Sequence, residues 1–312
     1  MRAAAIVLFL VVAAVARPAL AFEDFVGTRA LSMGGATRAW ALADSAPLLN
    51  PSGMSLVKAY NVEAAYAYGT HLSEQFFHAS IVDSTSAFNL AGAVYYTYHL
   101  EQPARFESGH GHEAGAALSL PVGNYLALGA TAKWFKLEGT DEGTVAPSTG
   151  GITFDVGATV RPLSVLSLAV VGSNLRDLHS GQAPLQLSYG AAYIPLPSLV
   201  LAVDGVTSFT RDDVSNRRGT GVKAGAEWTM AQRVAFRLGG GTDPMLGAGY
   251  LAAGVSLISQ VAAVDLGARA DLFPFATGSE RNLFVGVSLR VFVGQGQGPG
   301  PAPGDGDEPS SP

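Results

Sequence analysis

Cysteine is absent from the 312 residues. That excludes disulfides, thiolate catalysis and any Cys-based metal site. Charge is scarce: 14% of residues are Asp, Glu, Lys or Arg, against roughly 25% in soluble domains. A soluble protein of this length needs a charged exterior, so the deficit argues against one. Basic clusters are missing and the formal charge is -6, which leaves nothing to favour nucleic acid. Beyond the first 21 residues no run of about 20 apolar residues occurs, which excludes spanning helices. Catalytic constellations are missing too. No Ser lies in a nucleophile elbow, and Gly239-Gly240-Gly241 lacks the strand–helix setting of a phosphate loop and reads as a loop-proximal strand end. His110-Gly111-His112 has no spaced Asp, Glu or third His beside it and reads as a pair of solvated loop histidines. No enzyme activity, cofactor or metal is expected.

What the chain does have is a two-faced repeat. In Ile152–Arg161, Ile152, Phe154, Val156, Ala158 and Val160 share one face, and Thr153, Asp155, Gly157, Thr159 and Arg161 share the other. Strand side chains alternate with period two, so such a segment has one apolar and one wet surface. Val222, Ala224, Ala226 and Trp228 oppose Lys223, Gly225 and Glu227 in the same way, and Ala262, Val264, Leu266, Ala268 and Ala270 oppose Asp265, Gly267, Arg269 and Asp271. Charges keep to the second face, as the lumen of a membrane barrel demands, because a charge at lipid mid-depth costs about 2–4 kcal/mol. The fold expected is all-β, a transmembrane antiparallel up-and-down β-barrel.

The chain divides into four zones. Residues 1–21 form a signal peptide: Arg2 gives the positive start, Ala3–Val15 the apolar stretch and Ala19-Leu20-Ala21 the cleavage site. Residues 22–58 are apolar and not strand-like, with helical composition at Ala36–Ala46 and a turn at Asn50-Pro51-Ser52-Gly53. Residues 59–293 form the barrel, with room for about 14 strands of the roughly ten residues a tilted wall requires. Residues 294–312 are rich in Gly and Pro and cannot bury a core. Connections after even-numbered strands are short and those after odd ones mostly longer, the pattern of short periplasmic turns and longer outside loops. Localisation in the bacterial outer membrane with both termini periplasmic follows. Aromatic side chains gather near strand ends, with Tyr96, Tyr98, Trp134, Phe209 and Phe273 towards the outside and Tyr60, Tyr125, Tyr193 and Trp228 towards the periplasm, as at the two membrane interfaces.

The run Arg29-Ala-Leu-Ser-Met-Gly-Gly-Ala36, followed by Asp44-Ser45-Ala46 and Asn50-Pro51-Ser52-Gly53, resembles the N-terminal segment of the FadL-type outer-membrane transporter superfamily (OMPP1/FadL/TodX-like). Ser52 stands where that family usually has Ala. Leu168–Leu175 followed by Leu185–Tyr193 is closest in pattern to the PorV/PorQ branch, with Arg176 in place of its Gly. The resemblance implies 14 strands and an N-terminal hatch in the lumen. The FadL type implies passive uptake of long-chain fatty acids or other hydrophobic small molecules, which leave through a gap in the wall. The PorV/PorQ branch implies a scaffold or shuttle barrel with a protein partner in secretion or envelope organisation. Outer-membrane lipid and the barrel-assembly machinery are partners in either case.

A lumen of 14 strands leaks unless it is filled, and residues 22–58 are the candidate plug; an arm outside the barrel is the alternative. The hatch motif residues are Gly34, Gly35, Asp44, Asn50, Pro51 and Gly53, with Gly34-Gly35 permitting close approach to the wall and Asn50-Pro51 ending the short helix and leading into the first strand. The candidate lumen charges are Lys133, Asp155, Lys223, Glu227, Arg237, Asp265, Arg269 and Arg290. With Arg233, the cations among them either meet a ligand carboxylate or pair with Asp155, Asp204, Glu227, Asp265 and Asp271.

Overall fold

The computed structural model describes residues 25–42, 45–70, 73–87, 89–101, 109–138, 140–141, 144–145, 149–178, 183–209, 219–243, 248–274 and 282–293. The expected signal peptide, the C-terminal tail and Asp44 of the hatch motif lie outside them.

Fourteen antiparallel strands close into one up-and-down barrel. They are β1 (Tyr60–Gly69), β2 (Glu74–Ala87), β3 (Leu90–Glu101), β4 (Gly109–Val122), β5 (Leu126–Glu138), β6 (Thr149–Leu163), β7 (Leu166–Ser173), β8 (Gln186–Leu196), β9 (Leu199–Ser208), β10 (Gly219–Met230), β11 (Val234–Asp243), β12 (Ala248–Ile258), β13 (Ala262–Pro274) and β14 (Leu283–Phe292). Closure is made by β1 on β14, with Asn61 opposite Phe292 and Gly69 opposite Phe284. A two-residue ladder, Thr140–Asp141 with Thr144–Val145, lies in the β5–β6 connection. The connections alternate in length as the sequence implies: residues 88–89, 123–125, 164–165, 197–198, 231–233 and 259–261 at one rim, with most of the longer loops at the other.

Alternation sets the two surfaces. Leu118, Val203, Leu238 and Leu251 expose more than half of their area on the outside, while Thr153, Asp155, Ser188 and Asp265 beside them are fully buried inside. A continuous apolar exterior on a closed sheet is a lipid-facing surface: the barrel has no unpaired edge, and each backbone polar group along the ladders is bonded within the wall. Tyr96, Trp134, Tyr125, Tyr193 and Trp228 point outward near the rims.

Inside lies the segment preceding β1. It contains α1 (Thr28–Ser32), a 3₁₀ turn at Arg38–Trp40, α2 (Ala46–Leu49) and a second 3₁₀ turn at Pro51–Ser55. Ala30, Met33, Ala36, Ala39, Ala41 and Ala46 are fully buried. Two expectations fail here. Ala36–Ala46 does not form one continuous helix: Arg38–Trp40 make a 3₁₀ turn, Ala41 and Leu42 leave helical geometry, and α2 begins at Ala46. Asn50-Pro51 ends the short helix α2 as expected, but it does not deliver the chain into the first strand. Pro51 starts a 3₁₀ turn, which its fixed φ suits, and the Asn50 side chain caps that turn by accepting from the Ser52 amide. β1 begins only at Tyr60.

Candidate functional site

The inner segment rests on a floor of glycines. Inward-facing Gly225, Gly239, Gly254 and Gly267 carry no side chain where Ser32, Met33 and Gly34 lie against the wall, and a Cβ at any of them would collide with that segment. Gly239 is thus inside a strand rather than at its end, and it works by close packing. Gly34 and Gly35 turn the chain back with φ of 64° and 74°, and a Cβ on Gly34 would strike Gly240. Hydroxyl side chains of the wall make further contacts with it. Ser167 Oγ donates to the Ala39 carbonyl at 2.7 Å, Ser119 Oγ to the Ser52 carbonyl at 3.1 Å and Tyr250 OH to the Gly34 carbonyl at 2.8 Å. Asn50 Nδ2 donates to the Arg38 carbonyl and to Thr159 Oγ1, both at 2.8 Å. Asn50 lies against Gly157, whose missing side chain makes the room. Gly53 packs on the Ala41 carbonyl.

The lumen charges form pairs. Arg29, from α1, donates through Nε and Nη2 to the two carboxylate oxygens of Glu227, each at 2.9 Å. Arg237 joins Glu227 to Asp265, and Arg290 reaches Asp265 at 2.9 Å. Ser256 hydrogen-bonds both Arg237 and Asp265. The order is therefore Arg29, Glu227, Arg237, Asp265, Arg290, with sign alternating along it. Elsewhere Lys133 pairs with Asp155 at 2.9 Å, Arg38 with Asp204 at 3.5 Å and Arg269 with Asp271 at 3.2 Å. Lys223 lies along Gly35. Arg233 is exposed in the β10–β11 turn and faces no lumen. Lys133, Arg237, Arg269 and Arg290 thus meet protein carboxylates, and the hatch arginines Arg29 and Arg38 do so too.

The long-loop half of the lumen is different. Phe25, from the inner segment, sits 6.0 Å from Phe76 and 5.2 Å from His78, ring to ring. Phe76 stacks on His99 at 4.3 Å and meets Phe284 edge-on at 5.5 Å. His78 lies 6.0 Å from Tyr95, whose hydroxyl donates to Glu113 at 2.7 Å. Leu31, Ala65 and Ala67 complete this cluster. Sequence reading missed it because Phe76-Phe77 is ambiguous: either residue can face inward, and the register decides for Phe76. The histidines read as loop residues, His110 and His112, are strand residues of β4 on the outer face, where His112 Nδ1 is 2.6 Å from Tyr96 OH. Among the described residues, no group of three metal-ligating side chains converges.

The strands remain paired around the whole barrel, with irregular register at Asp83–Ala87, Val160–Leu163, Tyr193–Leu196 and Gly249–Tyr250. Beside the first of these, a shallow depression of about 770 Å³ in the outer wall is lined by small residues such as Gly92, Ala116, Ala130 and Ala132, with Val94 and Phe154 at its sides.

No protein-family model matches the chain, and no curated protein sequence matches it. Solved structures do. The monoaromatic hydrocarbon channel CymD superposes with a TM-score of 0.64 at 11% identity, over 87% of this chain and 98% of the channel. The toluene transporter TodX of Pseudomonas putida gives 0.62 at 12% identity, over 88% and 99%. A FadL homologue of Pseudomonas aeruginosa gives 0.61 at 9% identity, over 87% and 99%. The chain has the fold of these channels. At such identities the likeness carries the architecture, and the chemistry of this lumen must be argued from its own residues.

Proposed function

We propose that this protein is a bacterial outer-membrane conduit for the passive uptake of hydrophobic small molecules. The observation that carries the reading is the cluster of Phe25, Phe76, Tyr95, His99 and Phe284 in the long-loop half of the lumen. An aqueous pore is lined by polar groups; inward aromatic rings offer apolar contact that a hydrophobic solute needs after leaving water. In this reading the signal peptide is removed at Ala21, residues 22–58 are the hatch, both termini lie in the periplasm and the long loops face outward. A ligand enters between the long loops, rests on the aromatic cluster above the hatch, and leaves sideways where small residues thin the wall beside β2 and β3. Monoaromatic compounds and long-chain fatty acids are the two ligand classes to compare, since rings stack on rings and acyl chains fill apolar grooves.

The experiment is initial-rate uptake of labelled toluene and labelled oleate by a deletion strain with and without the gene restored. The conduit reading expects restoration to raise uptake of at least one of them several-fold. Equal rates for both compounds would overturn it. A scaffold role of the PorV/PorQ kind expects a stoichiometric protein partner on detergent extraction, and it leaves the lumenal aromatic cluster without a purpose.

A further inference from the structure

Arg161 is the exception among the inward-facing arginines of the described residues. Arg29, Arg38, Arg237, Arg269 and Arg290 each meet a carboxylate. Arg161, at the short-turn end of β6, has the ring of Trp40 4.7 Å from its guanidinium carbon. Its Nε and Nη2 are buried and donate to no protein group among the described residues. Leaving a buried donor without a hydrogen bond is costly, and more so for a charged one. Native structures rarely leave such donors without a purpose. The two idle donors are the side-on edge of the guanidinium, the fork that matches the two oxygens of a carboxylate. Among the described residues no carboxylate is placed to fill it, whereas the other inward-facing arginines each have one.

We propose that Arg161 is a ligand-binding residue: it receives the carboxylate of an amphipathic acid at the periplasmic end of the lumen, where the acid takes the place of the Trp40 ring on the Arg161 guanidinium. This rests on the conduit reading for the identity of the ligand, though binding can be measured without transport. The aromatic cluster holds the apolar part of a solute and is indifferent to a head group; Arg161 separates acids from neutral molecules. The neighbourhood suits the task. Trp40 stands on a 3₁₀ turn of three residues, fixed to the wall by Ser167 through the Ala39 carbonyl and by Asp204 through the Arg38 amide.

The test uses the purified full-length protein in nanodiscs and follows indole fluorescence while dodecanoate or dodecanol is added. The two probes share a chain and differ in charge. Arg161→Gln is expected to weaken dodecanoate binding roughly tenfold to a hundredfold, the range of a lost charge-assisted pair, and to change dodecanol binding less than about twofold. Arg161→Lys, which keeps the charge without the fork, is expected to fall between. Unchanged dodecanoate affinity in Arg161→Gln would overturn the proposal. So would an equal loss for both probes, which would mean that the substitution only disturbs the hatch. If dodecanoate binding depends on Arg161 while uptake in cells does not depend on the protein, the site stands and the conduit reading falls.

Discussion

Arg29 and Glu227 join two parts of the chain through a bidentate ion pair, with both nitrogen–oxygen distances at 2.9 Å. One partner belongs to the first helix of the inner segment and the other to β10. Glu227 also holds Arg237, so one carboxylate bridges a hatch cation and a wall cation.

Glu227→Gln is expected to leave two buried guanidiniums short of charge. Breaking one side of a buried pair costs about 3–5 kcal/mol. The β-ladders do not depend on it, so the barrel still forms. Limited proteolysis should then cut the inner segment faster, and the gel-shift temperature of the folded barrel should drop. A cycle pairing Arg29→Ala with Glu227→Ala should show a coupling of about 1–3 kcal/mol.

Gly239→Leu should displace the inner segment, because Met33 and Gly34 occupy the space its side chain would need. Planar-bilayer recordings should then show a higher baseline conductance, and cells should become more sensitive to a hydrophilic antibiotic. Gly150→Ala serves as the control. A Cβ there meets only the Phe135 carbonyl oxygen, at 3.8 Å, so neither readout should move.

The outer face was legible in the sequence and the lumen largely was not, for a physical reason. Period-two alternation is a local property, so Phe154 and Val156 declare their face from the chain alone. Strand number and loop alternation follow from the same local signal. Ion pairs across the lumen depend on which strands curve together: Arg29 and Glu227 lie 198 positions apart, and no spacing rule links them. The Gly34-Gly35 pair did point to close wall contact, yet the glycines that receive it, at 225, 239, 254 and 267, read simply as small members of the wet face. The aromatic cluster was hidden because Phe25 precedes the barrel and Phe76 and Phe284 sit near opposite ends of the chain, brought together only when β1 closes on β14. Arg161 stood on the wet face of the clearest strand, but that it meets the Trp40 ring and no carboxylate among the described residues is a three-dimensional fact.

Val203→Lys places a charge at an outward position that is 52% exposed on the lipid-facing wall. Equilibrium unfolding in bilayers by urea should show a loss of about 2–4 kcal/mol if the residue lies near mid-depth. A change below about 0.5 kcal/mol would place it near an interface.

Phe76→Ala removes the ring shared by Phe25, His99 and Phe284. Truncating a buried Phe costs about 3–5 kcal/mol of packing. The barrel retains its ladders, so the variant should still reach the outer membrane. Uptake of a hydrophobic solute should fall several-fold at equal protein level, as judged by immunoblot of membrane fractions.

The most direct test of the conduit account is initial uptake of labelled toluene and oleate in a deletion strain carrying no copy, the wild-type gene, or the Phe76→Ala variant. The account predicts that the wild-type gene raises uptake of at least one compound several-fold and that Phe76→Ala gives back most of that gain. Identical rates in all three strains for both compounds would contradict it.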